Sequence, residues 1–196
     1  MITFVLLGNN ITRIPTIGKM LIVGKSLPNA ESLCFTRINA AKQVNTEYFS
    51  ILDGGEDILY DNFESSTKYV CEELSITGLN IGTSKDIKRG VPGGRYMQHC
   101  VVCRTSAFNL LDLPTSGLFH FEPMVYGQLC KNGIVYHNEI IYEWVPSPSG
   151  AATWRDTSLA RINGARWAAG KYPVDLTRAI SDIDTYRPGY SPRQDK

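Results

Sequence analysis

Three groups of residues have the types and spacing to do chemistry. The first is Asp53-Gly54-Gly55-Glu56-Asp57. Its carboxylates crowd a glycine turn, where backbone can approach a ligand and hard oxygen donors can hold Mn²⁺ or Mg²⁺, which in turn neutralises a diphosphate. Asp-Gly-Gly is equally ordinary turn chemistry, so a ligand-free acidic turn explains the same residues. The second group is Glu122 in His120-Phe121-Glu122-Pro123. A carboxylate at a helix start can serve as a cap favoured by the macrodipole, or as a general base that takes a proton from an acceptor hydroxyl. The third is the stretch 84–95, where Lys85, Lys88, Arg89 and Arg95 surround Gly90, Pro92, Gly93 and Gly94. It reads as a mobile basic loop, either folding over phosphates or solvated at the surface.

Other candidates carry less. His99-Cys100-Val101-Val102-Cys103 has no second Cys or His pair at zinc-site spacing, and in a strand Cys100 and Cys103 point to opposite faces, so core cysteines are the expectation. Trp154 lies in a loop and can stack on a sugar; Trp144 and Trp167 read as core. No nucleophile elbow, Walker loop or dinucleotide fingerprint occurs, which lowers the standing of serine hydrolases, P-loop phosphotransferases and Rossmann dehydrogenases.

The elements that must position these groups alternate short apolar runs with helical segments, the pattern of an α/β domain with a mainly parallel sheet flanked by helices. The expected strands are Ile2 to Leu7, Met20 to Val23, Tyr48 to Leu52, Leu79 to Gly82, Tyr96 to Cys103, and two short ones, Ile134 to Tyr136 and Ile140 to Trp144, around His137-Asn138. Helices are expected at Glu31 to Val44, Asn62 to Leu74, Phe119 to Lys131 with Gly133 as its stop, and Asp156 to Ala169 with Asp156 as cap. In the first, Cys34, Ile38 and Ala41 form the buried stripe, with Arg37 and Lys42 turned elsewhere. Pro146-Ser147-Pro148-Ser149-Gly150 is the strongest break, and residues 173–196 read as an extended arm or a disordered tail after a domain spanning 1–172. The acidic cluster follows a strand, and the C-terminal ends of strands in α/β sheets are where ligands bind.

Composition sets the outer limits. In 196 residues, 43% are hydrophobic and 20% charged, which fits one ordinary globular domain and excludes wholesale disorder or a coiled coil. A net charge of +1 gives no global field toward nucleic acid or anionic membrane, so any phosphate recognition must be local. The five cysteines are odd in number and scattered among apolar residues, which points to reduced thiols and a cytoplasmic protein without a membrane span. The apolar start reads as a buried strand rather than a signal peptide.

Taken in order, these segments resemble a family 2-like glycosyltransferase with the A-type nucleotide-sugar fold, over roughly residues 1 to 155. Thr36-Arg37-Ile38-Asn39-Ala40-Ala41 is similar to that family's Arg-x-x-Asn-like helix. Glu47-Tyr48-Phe49-Ser50-Ile51-Leu52-Asp53 resembles the strand leading to its Leu-Asp-x-Asp-Asp metal motif. Tyr96 to Phe108 looks like the acceptor-side strand and helix start, and Phe119 to Gly133 like the helix bearing the Glu-Asp base motif. The chain departs at Gly54-Gly55, which leaves Glu56 or Asp57 as the second metal ligand, at Glu122-Pro123 in place of Glu-Asp, and at Lys25, where the family commonly has an acidic residue.

The resemblance implies a compact, Rossmann-like nucleotide-sugar-binding domain that moves a sugar from a nucleotide diphosphate sugar, UDP-sugar foremost, to an acceptor hydroxyl with inversion. Asp53, Glu56 and Asp57 would hold Mn²⁺ or Mg²⁺, and Glu122 would be the base. Asn9, Asn10, Arg13, Arg37, Lys88, Arg89 and Arg155 would meet the nucleotide and phosphates, and Arg95, His99, His120 and Trp154 the acceptor. With so little chain left for an acceptor domain, a homo-oligomer is one source of acceptor contacts. The alternatives are a catalytically inactive nucleotide- or partner-binding module on the same scaffold and, third, a nucleotidyltransferase using the same acidic cluster.

Overall fold

The computed structural model describes residues 1–8, 15–23, 30–53, 58–90, 99–145 and 156–170. The strands are β1 (Ile2–Leu7), β2 (Lys19–Val23), β3 (Tyr48–Asp53), β4 (Ile58–Leu59), β5 (Ile81–Lys88), β6 (Val101–Arg104) and β7 (Val135–Trp144). The helices are α1 (Ala30–Ala41), α2 (Phe63–Thr77), α3 (Thr105–Asn109), α4 (Gly127–Leu129) and α5 (Thr157–Ala168); α4 sits between a π-helical turn, Glu122–Tyr126, and a 3-10 turn, Cys130–Asn132.

The strands form one sheet in the order β2-β1-β3-β6-β5-β7-β4. Pairing is parallel for β1 with β2, β1 with β3 and β5 with β7, and antiparallel for β3 with β6, β5 with β6 and β4 with β7. The expected mainly parallel sheet is therefore corrected to a mixed one. The reason lies in the pairing: β6, which runs directly into α3, inserts antiparallel between β3 and β5, and two-residue β4 closes the far edge.

Two cores lie on the two sheet faces, as period-two alternation requires. From β1, Val5 and Leu7 enter one core, while Ile2, Phe4 and Leu6 enter the other. The first is covered by α1 and the segment Phe119 to Leu129, the second by α2 through Phe63, Val70 and Leu74. The α2 helix stops at Gly78, whose φ of +71° is left-handed and whose N–H closes onto the Leu74 carbonyl at 3.0 Å.

Three further expectations change. Residues 84–88 belong to β5 rather than to a loop; Arg89 and Gly90 form the turn, and 91–95 lie outside the described residues. His137 and Asn138 do not separate two strands. Instead β7 is continuous, spending four positions between Tyr136 and Ile140 against two between Thr83 and Lys85 of β5, a bulge that absorbs the polar residues. Asp156 precedes α5 but makes no side-chain cap hydrogen bond. No helix of the described residues is long and apolar enough to cross a membrane. The tail, residues 173–196, falls outside the described residues.

Candidate functional site

Chain order and pairing give the sheet a ligand edge. β1 is flanked by β2 on one side and β3 on the other, so the chain crosses from one side of β1 to the other between them, which makes the crevice at their C-terminal ends a topological switch point. Leu7 and Asp53 are paired in register at that edge. Following the pairings across the sheet, the C-terminal ends of β5 and β7 and the start of β6 share it.

Arg37 organises the site. The spacing 34, 37, 38, 41 places it on the inward stripe of α1 with Cys34, Ile38 and Ala41 rather than turned elsewhere, and it is 4% exposed. Its Nη2 donates to Asp53 Oδ1 and Oδ2 at 2.6 and 2.5 Å, and its Nη1 donates to Glu122 Oε1 at 2.5 Å. A buried guanidinium must be neutralised, and here the carboxylate at the end of β3 and the one at the start of the π-turn share the task. Burial opposes the Arg37 charge, but Asp53 and Glu122 outweigh it, and the guanidinium is held even more firmly protonated than usual.

Glu122 is engaged at both oxygens, since Oε2 pairs with Nδ1 of His120. Burial pushes its carboxyl upward, yet Arg37 and then His120 overcome that, and it lies well below the usual carboxylate range. One helical turn on, the Tyr126 hydroxyl is pushed well above its ordinary value, by burial first. Cys34 beside the cluster is pushed up to about 12 by burial, with Glu122 adding to it. The thiol is therefore packing, not a nucleophile.

Helix α5 fixes the height of the Glu122 turn. His120 N–H donates to the Ala160 carbonyl at 3.0 Å, and Asn163 Nδ2 donates to the Leu118 carbonyl at 3.0 Å. Gly164 faces the same turn so closely that an added Cβ would sit 2.8 Å from the His120 carbonyl oxygen. The expected helix from Phe119 instead begins at Phe121 and passes at Glu122 into a π-helical turn, where Pro123 has no N–H to give.

A second group sits at the same edge. Lys88 Nζ lies 5.3 Å from the centre of the Trp144 ring, and the His99 ring stacks on Tyr142 and Trp144 with centroids 5.1 and 5.6 Å away. Buried Asp86 accepts the His99 N–H at 2.8 Å. Arg89 Nε donates to Glu143 Oε1 at 2.6 Å, and this bond, ahead of one from Tyr60, lowers the Glu143 carboxyl. Two strand spacings separate β5 from β3 and three separate β7 from it, so this group stands roughly 10–14 Å across the sheet from Asp53.

The structure thus brings Arg37, Asp53, His120 and Glu122 into one contact chain, and places Lys88, Arg89 and His99 apart from it on the same edge. Asn9, Asn10, Arg13, Glu56, Asp57, Arg95, Trp154 and Arg155 lie outside the described residues. Sequence reasoning missed the inward turn of Arg37, for which the i, i+3, i+4 spacing was the available signal. It also missed Tyr126, four positions after Glu122, and Gly164, whose close approach has no sequence signal. The described residues do not by themselves fit a divalent cation: no group of three or more His, Cys, Asp or Glu among them is placed to hold a metal ion, and both Asp53 oxygens face Arg37.

No family model matches this chain, and no curated protein matches it. Among solved structures it is similar to one described as a glucose-1-phosphate thymidylyltransferase from Bacillus anthracis in complex with sucrose. The two share 12% identity and a TM-score of 0.42, with 73% of this chain and 65% of that one covered. The chain therefore spans a little under two thirds of that protein, and a likeness this distant carries no argument about activity.

Proposed function

We propose that this chain transfers a sugar from a nucleotide diphosphate sugar, a UDP-sugar first, to an acceptor hydroxyl with inversion. The observation that supports the reading is the seating of Asp53 and Glu122 on one buried guanidinium, Arg37, at the switch point of the sheet. An acceptor hydroxyl loses its proton to a base of the His120–Glu122 pair as its oxygen attacks the anomeric carbon, and the bond from that carbon to the diphosphate breaks toward the leaving nucleotide. Lys88 and Arg89 supply positive charge on the same edge for phosphates. Mn²⁺ or Mg²⁺ on Asp53 with Glu56 or Asp57 belongs to the proposal as a cofactor that would neutralise the diphosphate; its entry would require Arg37 to release Asp53.

A second reading, a nucleotide- or partner-binding module without turnover, is favoured by the internal pairing of all three charges. Calorimetry with UDP, with and without Mn²⁺, together with UDP-sugar turnover by the wild type, Asp53→Asn and Glu122→Gln, separates the readings. Transfer requires binding and turnover lost in both variants. Binding without turnover selects the module, and full activity in both variants removes the proposed chemistry.

A further inference from the structure

Resting on the transfer reading above, we infer that the group taking the acceptor proton is His120 Nε2, with Glu122 acting as its positioning residue. Glu122 has neither oxygen to spare: Oε1 receives the Arg37 Nη1 hydrogen at 2.5 Å and Oε2 faces His120 Nδ1. A carboxylate hydrogen-bonded by a guanidinium at one oxygen, set against an imidazole at the other and held far below its usual range is a weak proton acceptor, because general-base efficiency falls with basicity. What that carboxylate does well is hold an imidazole. An Nδ1 set against a carboxylate oxygen favours the tautomer that carries its hydrogen on Nδ1, which leaves the lone pair on Nε2. Among the described residues, no hydrogen bond is made by Nε2. The main chain that carries the ring is anchored on both sides: the His120 backbone N–H donates to the Ala160 carbonyl, and the His120 carbonyl accepts from Met124 N–H at 3.3 Å.

The order of groups is then base, orienter and fixed cation: His120, Glu122, Arg37. During transfer the acceptor oxygen forms its bond to the anomeric carbon, its proton moves to Nε2, and the leaving diphosphate takes the electron pair of the broken bond. The imidazolium so formed is stabilised by Glu122, which stays ionised, and it returns its proton to solvent after the product leaves. Arg37 keeps Glu122 from taking the proton itself.

Two measurements on the full chain test this. Long-range ¹H–¹⁵N correlation of the imidazoles at pH 8 is expected to show His120 protonated at Nδ1 and bare at Nε2, with that preference lost in Glu122→Gln. The second is hydrolysis and transfer with UDP-glucose and UDP-N-acetylglucosamine. His120→Asn keeps a donor at the Nδ1 position and removes Nε2; it is expected to lose at least 100-fold in turnover with UDP binding within threefold of wild type and an unchanged circular dichroism spectrum. His120→Gln, which moves the amide away from Glu122, serves as the second variant and is expected to be as inactive. An Nε2–H tautomer in an active wild type, or a His120→Asn enzyme within threefold of wild-type turnover, overturns the inference and leaves the transfer reading standing. No turnover by wild type with either donor removes the proton transfer along with the reaction; the tautomer spectrum then reports the His120–Glu122 pair alone.

Discussion

An added Cβ on Gly164 of α5 would lie 2.8 Å from the carbonyl oxygen of His120, so helix and turn meet backbone to backbone just before Glu122. Alanine gains about 1 kcal/mol over glycine inside a helix. The atoms it would meet, however, are the His120 oxygen, Pro123 Cγ at 3.1 Å and Met124 N at 3.2 Å, two of them backbone atoms that cannot swing aside. Overpacking of this kind costs about 1–3 kcal/mol. Gly164→Ala is therefore expected to lower the urea midpoint with an unchanged m-value, and to reduce turnover more than it reduces UDP binding. A raised midpoint would show that the contact has slack.

Arg37→Met leaves two carboxylates facing one another without their cation. Breaking a buried pair costs about 3–5 kcal/mol. Because the Asp53 and Glu122 side chains retain 32% and 21% exposure, the lower end is expected. Arg37→Lys should recover only part of it, since an ammonium is a single point charge and cannot reach both carboxylates as a fork does. Thermal unfolding at neutral pH ranks the three proteins. A lysine variant as stable as wild type would mean that the two-pronged geometry contributes nothing.

The depressed Glu122 carboxyl makes stability depend on acid. The folded group binds its proton less readily than the unfolded one, so the contribution is complete above the ordinary glutamate range near pH 4.5 and declines as pH falls below it. Wild type should lose stability steeply between about pH 4.5 and 2. Glu122→Gln, which has no proton to gain there, should show a shallower slope in the same window. Equal slopes would place the acid sensitivity elsewhere.

Burial pushes the Cys34 thiol up to about 12 and Cys71 to about 11, and raises Cys103 further still. Iodoacetamide at pH 8 should therefore leave Cys34 and Cys103 unmodified over hours in the folded protein and reach all five cysteines in guanidinium, read by peptide mass. Rapid labelling of Cys34 in buffer would mean that α1 opens locally and exposes the Arg37 site.

Much of this architecture is legible in the sequence where one rule dominates. Ile2–Leu7 and Tyr48–Asp53 are apolar runs bounded by turn residues, and their strands fall where expected apart from one terminal residue. Asp53 and Glu122 stand out because carboxylates at element boundaries are informative. The rest depends on what lies far along the chain. Arg37 looks like a surface residue until Asp53 and Glu122, 16 and 85 positions away, meet its nitrogens. Strand direction has no local signature: Val101–Arg104 reads identically in either orientation, and only its neighbours Ser50 and Gly82, both opposite Val102, decide it. The bulge at His137 likewise belongs to β5 as much as to β7.

Strand β6 has a bearing on the order in which the molecule assembles. Backbone pairing between the first three strands and the β5-β7-β4 group runs, among the described residues, through its four positions. Its sequence lies after β5, so β3 and β5 cannot be joined until the chain has passed β5 and turned back. The first group pairs strands that follow one another along the chain, whereas the second group and its union with the first through β3 and β6 both wait on long loop closures, the slow part of mixed topologies. Amide hydrogens of Val101 to Arg104 should then exchange only when the whole domain opens, and a backbone defect at Val102 would separate two half-sheets rather than fray an edge.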